Sequence, residues 1–168
     1  MAYKTADELR KEVAHIASNE EHSKDSAKYW KEVLPSNWQG PYPKEWCGAY
    51  ALWCLHKGLN CELIWEFATS TKRESGFLHH LTMIRRGVEP NIGDIAYRDK
   101  PFQHHAVVTA AGIDADGIPF VITQDGNSGD PPGEVLEHWN EQKHWTCFYS
   151  IQELVEDAMS EQETTAVE

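Results

Sequence analysis

Cys47 is the residue of this chain best placed to act as a nucleophile. It opens a hydrophobic segment, residues 46–55, that follows a turn-rich stretch containing Pro41 and Pro43. This pattern predicts that Cys47 lies at the N-terminus of a buried helix. Unpaired backbone N–H groups and the positive end of the helix dipole favour a thiolate there. A cysteine activated in this way can attack a carbonyl carbon.

A thiol nucleophile needs a base within hydrogen-bond distance and a third group that orients the base. His104 and His105 stand at the start of a segment with strand character, and a histidine at that strand start is the best base candidate. The next strand, residues 121–124, should run antiparallel to it and leads into Asp125 and Asn127. Either side chain could hold the imidazole.

Helical patterns fill the first part of the chain. A capping box at Thr5 predicts a first helix over residues 6–18, and a short second helix should end before Pro35. The third helix, residues 46–57, is apolar on every side and should be buried, with Gly58 as its stop. Residues 62–87 are ambiguous, with one more helix or irregular segment near residues 75–86.

Strand patterns fill the second part. Segments rich in β-branched and aromatic residues alternate with turn signals such as Asp116-Gly117. The predicted strands are residues 92–98, 105–112, 118–124, 134–139 and 144–151. Helices followed by strands indicate an α+β fold, with N-terminal helices packed on an antiparallel β-sheet meander.

Length and charge restrict the function classes. The 168 residues suit one domain, residues 1–150, followed by an acidic tail, residues 151–168, which we expect to be partly disordered beyond Met159. The net charge is −12, and the tail carries six acidic residues without a lysine or arginine. An acidic chain is a poor partner for nucleic acid. We also expect no membrane span and no signal peptide.

The remaining cysteines and the histidine pairs do not predict a metal or another cofactor. Cys54, Cys61 and Cys147 are expected to be buried hydrophobic residues, and no Cys-x-x-Cys pair exists. Neighbouring residues of a strand point to opposite faces, so neither His79-His80 nor His104-His105 should chelate a metal. The acidic pair Asp114 and Asp116 fits a hairpin turn better than a calcium loop.

Four motifs in order resemble the CHAP family of papain-like, cysteine- and histidine-dependent amidases and peptidases. The motifs are Trp46-Cys47-Gly48-Ala49-Tyr50-Ala51-Leu52-Trp53, Gly93-Asp94-Ile95, His105-Ala106-Val107-Val108 and Asp125-Gly126-Asn127. The resemblance covers about residues 37–150. It implies a papain-like fold with Cys47 as nucleophile, His105 as base and Asp125 as third member, with Asn127 alongside. The third member is more often Glu in this family.

Phage-lysin members of this family are bacteriolytic enzymes that cleave amide bonds of peptidoglycan. The resemblance therefore implies a hydrolase of the cell wall with no cofactor. The backbone N–H of Cys47 should stabilise the oxyanion, Gln39 or Tyr42 could supply a second donor, and Trp46 could border the substrate cleft.

Two other functions remain open from the sequence. The chain could be a papain-like hydrolase of a cytoplasmic peptide or amide, or a catalytically silent CHAP-like binding module of a phage particle. If it acts on the wall, we expect synthesis in the cytoplasm and delivery through a holin, a virion or a secretion system, and an immunity protein, a holin or virion components are conceivable partners.

Overall fold

The computed structural model describes residues 3–71 and 74–167. In this part of the chain, four α-helices accompany one six-stranded antiparallel sheet, which confirms the predicted α+β class. The helices are α1 (Ala6–Asn19), α2 (Ser26–Val33), α3 (Cys47–Leu59) and α4 (Gln152–Val167). Two single 3₁₀ turns lie at Leu78–His80 and Gln142–His144.

Five of the six strands overlap the segments predicted as strands, whereas the first strand was not predicted. They are β1 (Thr82–Met83), β2 (Ile95–Arg98), β3 (His104–Ile113), β4 (Pro119–Ser128), β5 (Glu134–Glu141) and β6 (Cys147–Ser150). Their order in the sheet is β1-β6-β2-β3-β4-β5. The strands from β2 to β5 form the expected meander, whereas β6 crosses back to pair with β2. The ambiguous segment near residues 75–86 contains the first 3₁₀ turn and β1.

The first helix begins where its capping box predicts. The Thr5 side chain accepts a hydrogen bond from the Glu8 N–H, and the Glu8 side chain accepts one from the Thr5 N–H, which completes the capping box. The third helix, however, does not stop at Gly58. It continues to Leu59 and ends at Asn60, which adopts the left-handed conformation with φ 53°.

Helix α3 forms the centre of the core. Every residue from Cys47 to Leu55 is buried, as the apolar sequence on all sides predicted. The helix packs against α1, α2, β3 and β4, so it lies between the other helices and one face of the sheet. A smaller apolar cluster, which includes Ala106 and Trp145, covers the opposite face of the sheet.

The acidic C-terminal segment is a helix, contrary to the expected disorder beyond Met159. Helix α4 packs on α1 and α3, and its Val155 side chain is completely buried in the main core. Acidic residues occupy its exposed positions, while apolar residues at helical spacing face the core. Among the described residues, no helix is both long and apolar enough to cross a membrane.

Asp94 connects three parts of the fold through a buried ion pair. Its Oδ1 atom accepts hydrogen bonds from the Arg10 guanidinium at 2.8 Å and from the Ile151 N–H at 3.1 Å. Its Oδ2 atom accepts one from the Asn91 N–H at 2.7 Å. Asp94 therefore joins α1, the start of β2 and the start of α4, which is a structural role for the Gly-Asp-Ile motif.

We expect Asp94→Ala to destabilise the protein by about 3–5 kcal/mol, because it leaves the Arg10 charge buried without a partner. The corresponding fall in thermal midpoint is roughly 10 °C for a chain of this size. Glu32→Ala is the matched control, because it removes an exposed ion pair with Lys57 and should cost less than about 1 kcal/mol. Equal midpoints for the two variants would refute this role of Asp94. Calorimetry measures both.

Candidate active site

Cys47 is the first residue of α3, as its sequence context predicted. Trp46 occupies the cap position without a side-chain cap, and the first helical hydrogen bond runs from the Tyr50 N–H to the Trp46 carbonyl. The N–H groups at this end are therefore available to a negative charge. The side chain of Cys47 is 7% exposed, so a nucleophile here is sheltered but accessible.

The first turn of α3 packs closely against the Trp65 and His105 side chains. A Cβ atom at Gly48 would lie 2.5 Å from the Trp65 ring and 3.2 Å from His105 Nδ1. Only glycine leaves room for this approach. The sequence Cys47-Gly48 thus lets the helix start lie directly against the histidines.

Both histidines of the pair lie beside the Cys47 thiol. The Nδ1 atom of His105 lies 3.8 Å from Cys47 Sγ, and His104 lines the same cleft as Cys47 and helps to lower the pKa of the thiol. The start of β3 lies at the N-terminus of α3, which allows residues of opposite orientation on the strand to reach one sulfur atom. Their rings nevertheless lie on opposite faces of the sheet, as expected for neighbouring residues of a strand.

Asp125 orients His104 rather than His105. His104 Nε2 lies 2.7 Å from Asp125 Oδ2, and the side chains of both residues are largely buried. The Thr123 hydroxyl donates a hydrogen bond to the other carboxylate oxygen at 2.5 Å. The sequence led us to expect Asp125 beside His105. The structure corrects this pairing, and Cys47, His104 and Asp125 line one cleft.

A bulge in β3 determines which histidine meets Asp125. The register of β3 and β4 shifts between Val108 and Ala110, and Val107 lies opposite Gln124. If that register continues, Asp125 lies beside Ala106, and therefore on the face of the sheet that carries His104. His104 packs there on the Trp145 ring, with centroids 5.9 Å apart.

His105 occupies the other face of the sheet, in an aromatic enclosure. Its ring lies 6.0 Å from those of Trp65 and Phe77 and 5.3 Å from that of Tyr97, measured between centroids. It also borders a small cavity of about 100 Å³ rather than the main cleft. His105 is thus a packed neighbour of the thiol.

The histidines strongly alter the acidity of Cys47. Burial raises the pKa of the Cys47 thiol, but hydrogen bonds and charges from His104 and His105 outweigh it and lower the pKa to about 5. Burial lowers the pKa of His104, whereas hydrogen bonds to Asp125 and Cys47 raise it to about 9. Between these values the stable form is a thiolate beside an imidazolium.

The other cysteines have the opposite character. All four are free thiols. Burial raises the pKa of Cys54, Cys61 and Cys147, and that of Cys61 reaches about 11. Only Cys47 combines a lowered pKa with access to a cleft, which is the property of a reactive cysteine.

The thiol opens into a cleft of about 490 Å³. Its lining combines the catalytic candidates with polar and charged side chains: Glu45, Cys47, Arg98, Phe102, Gln103, His104, Asp125, Asn127, Ser128, Gly129, His138, Asn140 and His144. A larger cavity of about 680 Å³ lies between the N-terminal segment, α3 and α4, but Cys47 and its partners do not line it. The candidate site therefore lies in the smaller cleft.

Several residues of the expected site have other positions. Asn127 lines the cleft with φ 55° in a β4 bulge, but the described hydrogen bonds do not connect it to either histidine. Gln39 and Tyr42 are exposed and do not line the cleft. Trp46 is buried against Tyr29 and donates a hydrogen bond to the Pro132 carbonyl, so it belongs to the core instead of the cleft.

Arg98 lines the cleft but was not predicted from the sequence as a site residue. Arg98 lies over the Trp145 ring and donates a hydrogen bond to His144 Nε2 at 2.5 Å. Burial and the nearby Arg98 charge lower the pKa of His144, which favours the neutral acceptor. Among the described residues, Arg98 forms no ion pair with a carboxylate. Side chains alternate along β2, so Tyr97 and Arg98 point to opposite faces. This alternation was the sequence feature that could have indicated the position of Arg98.

Comparisons with protein-family models, curated proteins and solved structures found no match to this chain.

The carboxylate of Asp125 sets the pH range in which His104 keeps its proton. In Asp125→Ala, His104 should lose its proton at lower pH, so the alkaline limb of the pH–rate profile moves downward. We expect kcat/KM at neutral pH to fall about a hundredfold. Asn127→Ala should have a far smaller effect, and kinetics from pH 5 to 10 compare them. An unshifted profile in Asp125→Ala together with an inactive Asn127→Ala would give the orienting role to the amide.

Proposed function

We propose that this protein is a papain-like cysteine amidase or endopeptidase that hydrolyses amide bonds of bacterial peptidoglycan. The observation that carries the proposal is one cleft lined by Cys47, at the start of a helix, and by His104, which is hydrogen-bonded to Asp125. A thiolate, a proton donor and an orienting carboxylate in series are the parts that thiol-dependent amide hydrolysis requires.

The first half of the reaction forms a thioester. The Cys47 thiolate attacks the amide carbonyl carbon, and the carbonyl oxygen becomes an oxyanion. The Cys47 N–H at the helix start can donate to that oxygen, and the helix dipole favours the charge. The His104 imidazolium gives its proton to the leaving nitrogen as the C–N bond breaks. The amine leaves, and His104 becomes neutral.

The second half restores the enzyme. Neutral His104 removes a proton from a water molecule, which attacks the thioester carbonyl. The C–S bond breaks, the acid product leaves and the thiolate returns beside the protonated imidazole. Asp125 keeps the imidazole oriented through both steps and favours its protonated form.

The motif resemblance and the charge of the cleft support peptidoglycan as substrate. The four motifs resemble those of CHAP enzymes in order and type. The cleft is polar, and Arg98 offers a cation to the free carboxylates that peptidoglycan stem peptides carry. Glu45, on the same cleft, suits the amino groups of such peptides.

Digestion of purified peptidoglycan tests the proposal. The wild-type chain should release new amino groups, and mass spectrometry of the muropeptides should identify the bond. Cys47→Ala should release none, while Cys147→Ala, the matched cysteine control, should act like wild type. Cleavage of small peptide amides without attack on peptidoglycan would favour a cytoplasmic hydrolase. Inactivity on both, with a slowly alkylated Cys47, would indicate a silent binding module.

A further inference from the structure

The second histidine pair, His79 and His80, converges on one carboxylate outside the cleft. The Nε2 atoms of His79 and His80 lie 2.5 Å and 2.7 Å from Glu66 Oε2. The two rings are 4.1 Å apart between centroids. We propose that Glu66, His79 and His80 bind a zinc ion.

The local backbone explains why these side chains meet. His79 and His80 belong to a 3₁₀ turn, where successive side chains are about 120° apart instead of opposite as in a strand. Two backbone hydrogen bonds join Glu66 to Gly76, three residues before His79. This antiparallel bridge places the carboxylate over the turn. The expectation that the pair would not chelate assumed a strand, whereas the described conformation is a 3₁₀ turn.

The donor set favours zinc over calcium or magnesium. One carboxylate and two imidazoles suit zinc, whereas calcium and magnesium prefer oxygen ligands throughout. The three donor atoms lie within 4.8 Å of one another. Zinc bonds of about 2.0–2.1 Å require the donors to be roughly 3.3 Å apart in a tetrahedral site. The side chains are partly exposed, so they can separate by this small amount, and water can supply the fourth ligand.

The zinc ion would stabilise the segment whose aromatic side chains pack around His105. Trp65 precedes Glu66 in the chain, and Phe77 precedes the 3₁₀ turn that carries the two histidines. Both aromatic side chains pack against the His105 ring. Zinc bonds to Glu66, His79 and His80 would link the two ends of this segment. They would add to the two backbone hydrogen bonds between Glu66 and Gly76. We therefore assign the ion a structural role, since none of its ligands lines the cleft that contains Cys47. This role is independent of the proposed hydrolase function.

Metal titration of the full chain in the Cys47→Ala background tests the site without the reactive thiol. We expect saturable binding of one Zn²⁺ ion, and a Co²⁺ spectrum with bands of nitrogen and oxygen ligation but no thiolate charge-transfer band. His79→Gln and His80→Gln should each weaken Zn²⁺ binding at least about tenfold. At a hundredfold excess over Kd, Zn²⁺ should raise the thermal midpoint by about 5 °C.

His22→Gln is the matched control, because His22 also faces a carboxylate, Glu134, but without a second histidine in that contact. This variant should bind Zn²⁺ like its parent. Circular dichroism confirms that each variant is folded. Unchanged affinity in both His79→Gln and His80→Gln, a thiolate band, or no saturable binding would overturn the proposal. In the wild-type chain, EDTA should lower the thermal midpoint of the zinc-loaded form and leave hydrolysis intact, whereas loss of hydrolysis restored by zinc would contradict the structural role.

Discussion

Cys47→Ala should abolish hydrolysis, with a loss of at least about 10⁴-fold in kcat, while the thermal midpoint stays close to that of wild type. The loss is large because the sulfur atom forms the covalent intermediate, and no other described thiol has a lowered pKa. The fold should persist because alanine fills most of the same space at the helix start. Release of amines from substrate and calorimetry measure the two quantities.

Cys47→Ser and Cys147→Ala complete this experiment. The serine hydroxyl is a far weaker nucleophile at neutral pH, so Cys47→Ser should be as inactive as the alanine variant. Cys147 is half-buried on β6, and its pKa is raised, so Cys147→Ala should retain activity. Amine release by Cys47→Ala would show that the nucleophile is another residue.

His104→Gln should be as inactive as Cys47→Ala, whereas His105→Gln should lose about tenfold or less. Catalytic residues that act together do not contribute additively to the rate. Loss of the base should therefore cost as much activity as loss of the nucleophile. His105 contacts the thiol and helps to lower its pKa, but Asp125 bonds to His104, and His104 alone of the pair lines the cleft. A change of one pKa unit in the thiol corresponds to about a tenfold effect.

The paired variants separate the two histidines because glutamine keeps much of the volume at each position. Steady-state kinetics near pH 7 compare them, and thermal midpoints report any damage to β3. An inactive His105→Gln with an active His104→Gln would return the base role to His105, as the motif resemblance implied. Equal losses with lowered midpoints would point to strand damage instead.

The fold class and the position of Cys47 at a helix start could be predicted from the sequence because they depend on local patterns. Apolar residues on all sides of residues 46–55 predicted the buried helix, and the proline-containing loop before it predicted where that helix starts. Alternation and turn residues predicted the central strands. Cys47 could be placed because a helix start is a local feature.

The histidine partner of Asp125 could not be predicted because it depends on one bulge. From Ile113 opposite Pro119, an unbroken ladder would place Asp125 beside Val107, on the face of His105. The bulge between Val108 and Ala110 shifts the register by one residue and moves Asp125 to the face of His104. No turn residue or periodicity in that segment signals the shift.

Tertiary contacts account for two other differences. Helix α4 forms because Val155 and neighbouring apolar residues pack on the core, which outweighs the acidic composition that suggested disorder. His79 and His80 converge because a long-range backbone bridge brings Glu66 to their turn. Composition and local spacing carry little information about either contact.

The pH dependence of Cys47 alkylation tests the activated thiol most directly. Iodoacetamide reacts with the thiolate, and peptide mass spectrometry gives a rate for each cysteine. We expect Cys47 to react first, with a midpoint near pH 5, and His104→Gln to move this midpoint upward because the thiolate loses its imidazolium partner. A wild-type midpoint near the ordinary cysteine value of about 8.5, unchanged in His104→Gln, would contradict an activated Cys47 thiol.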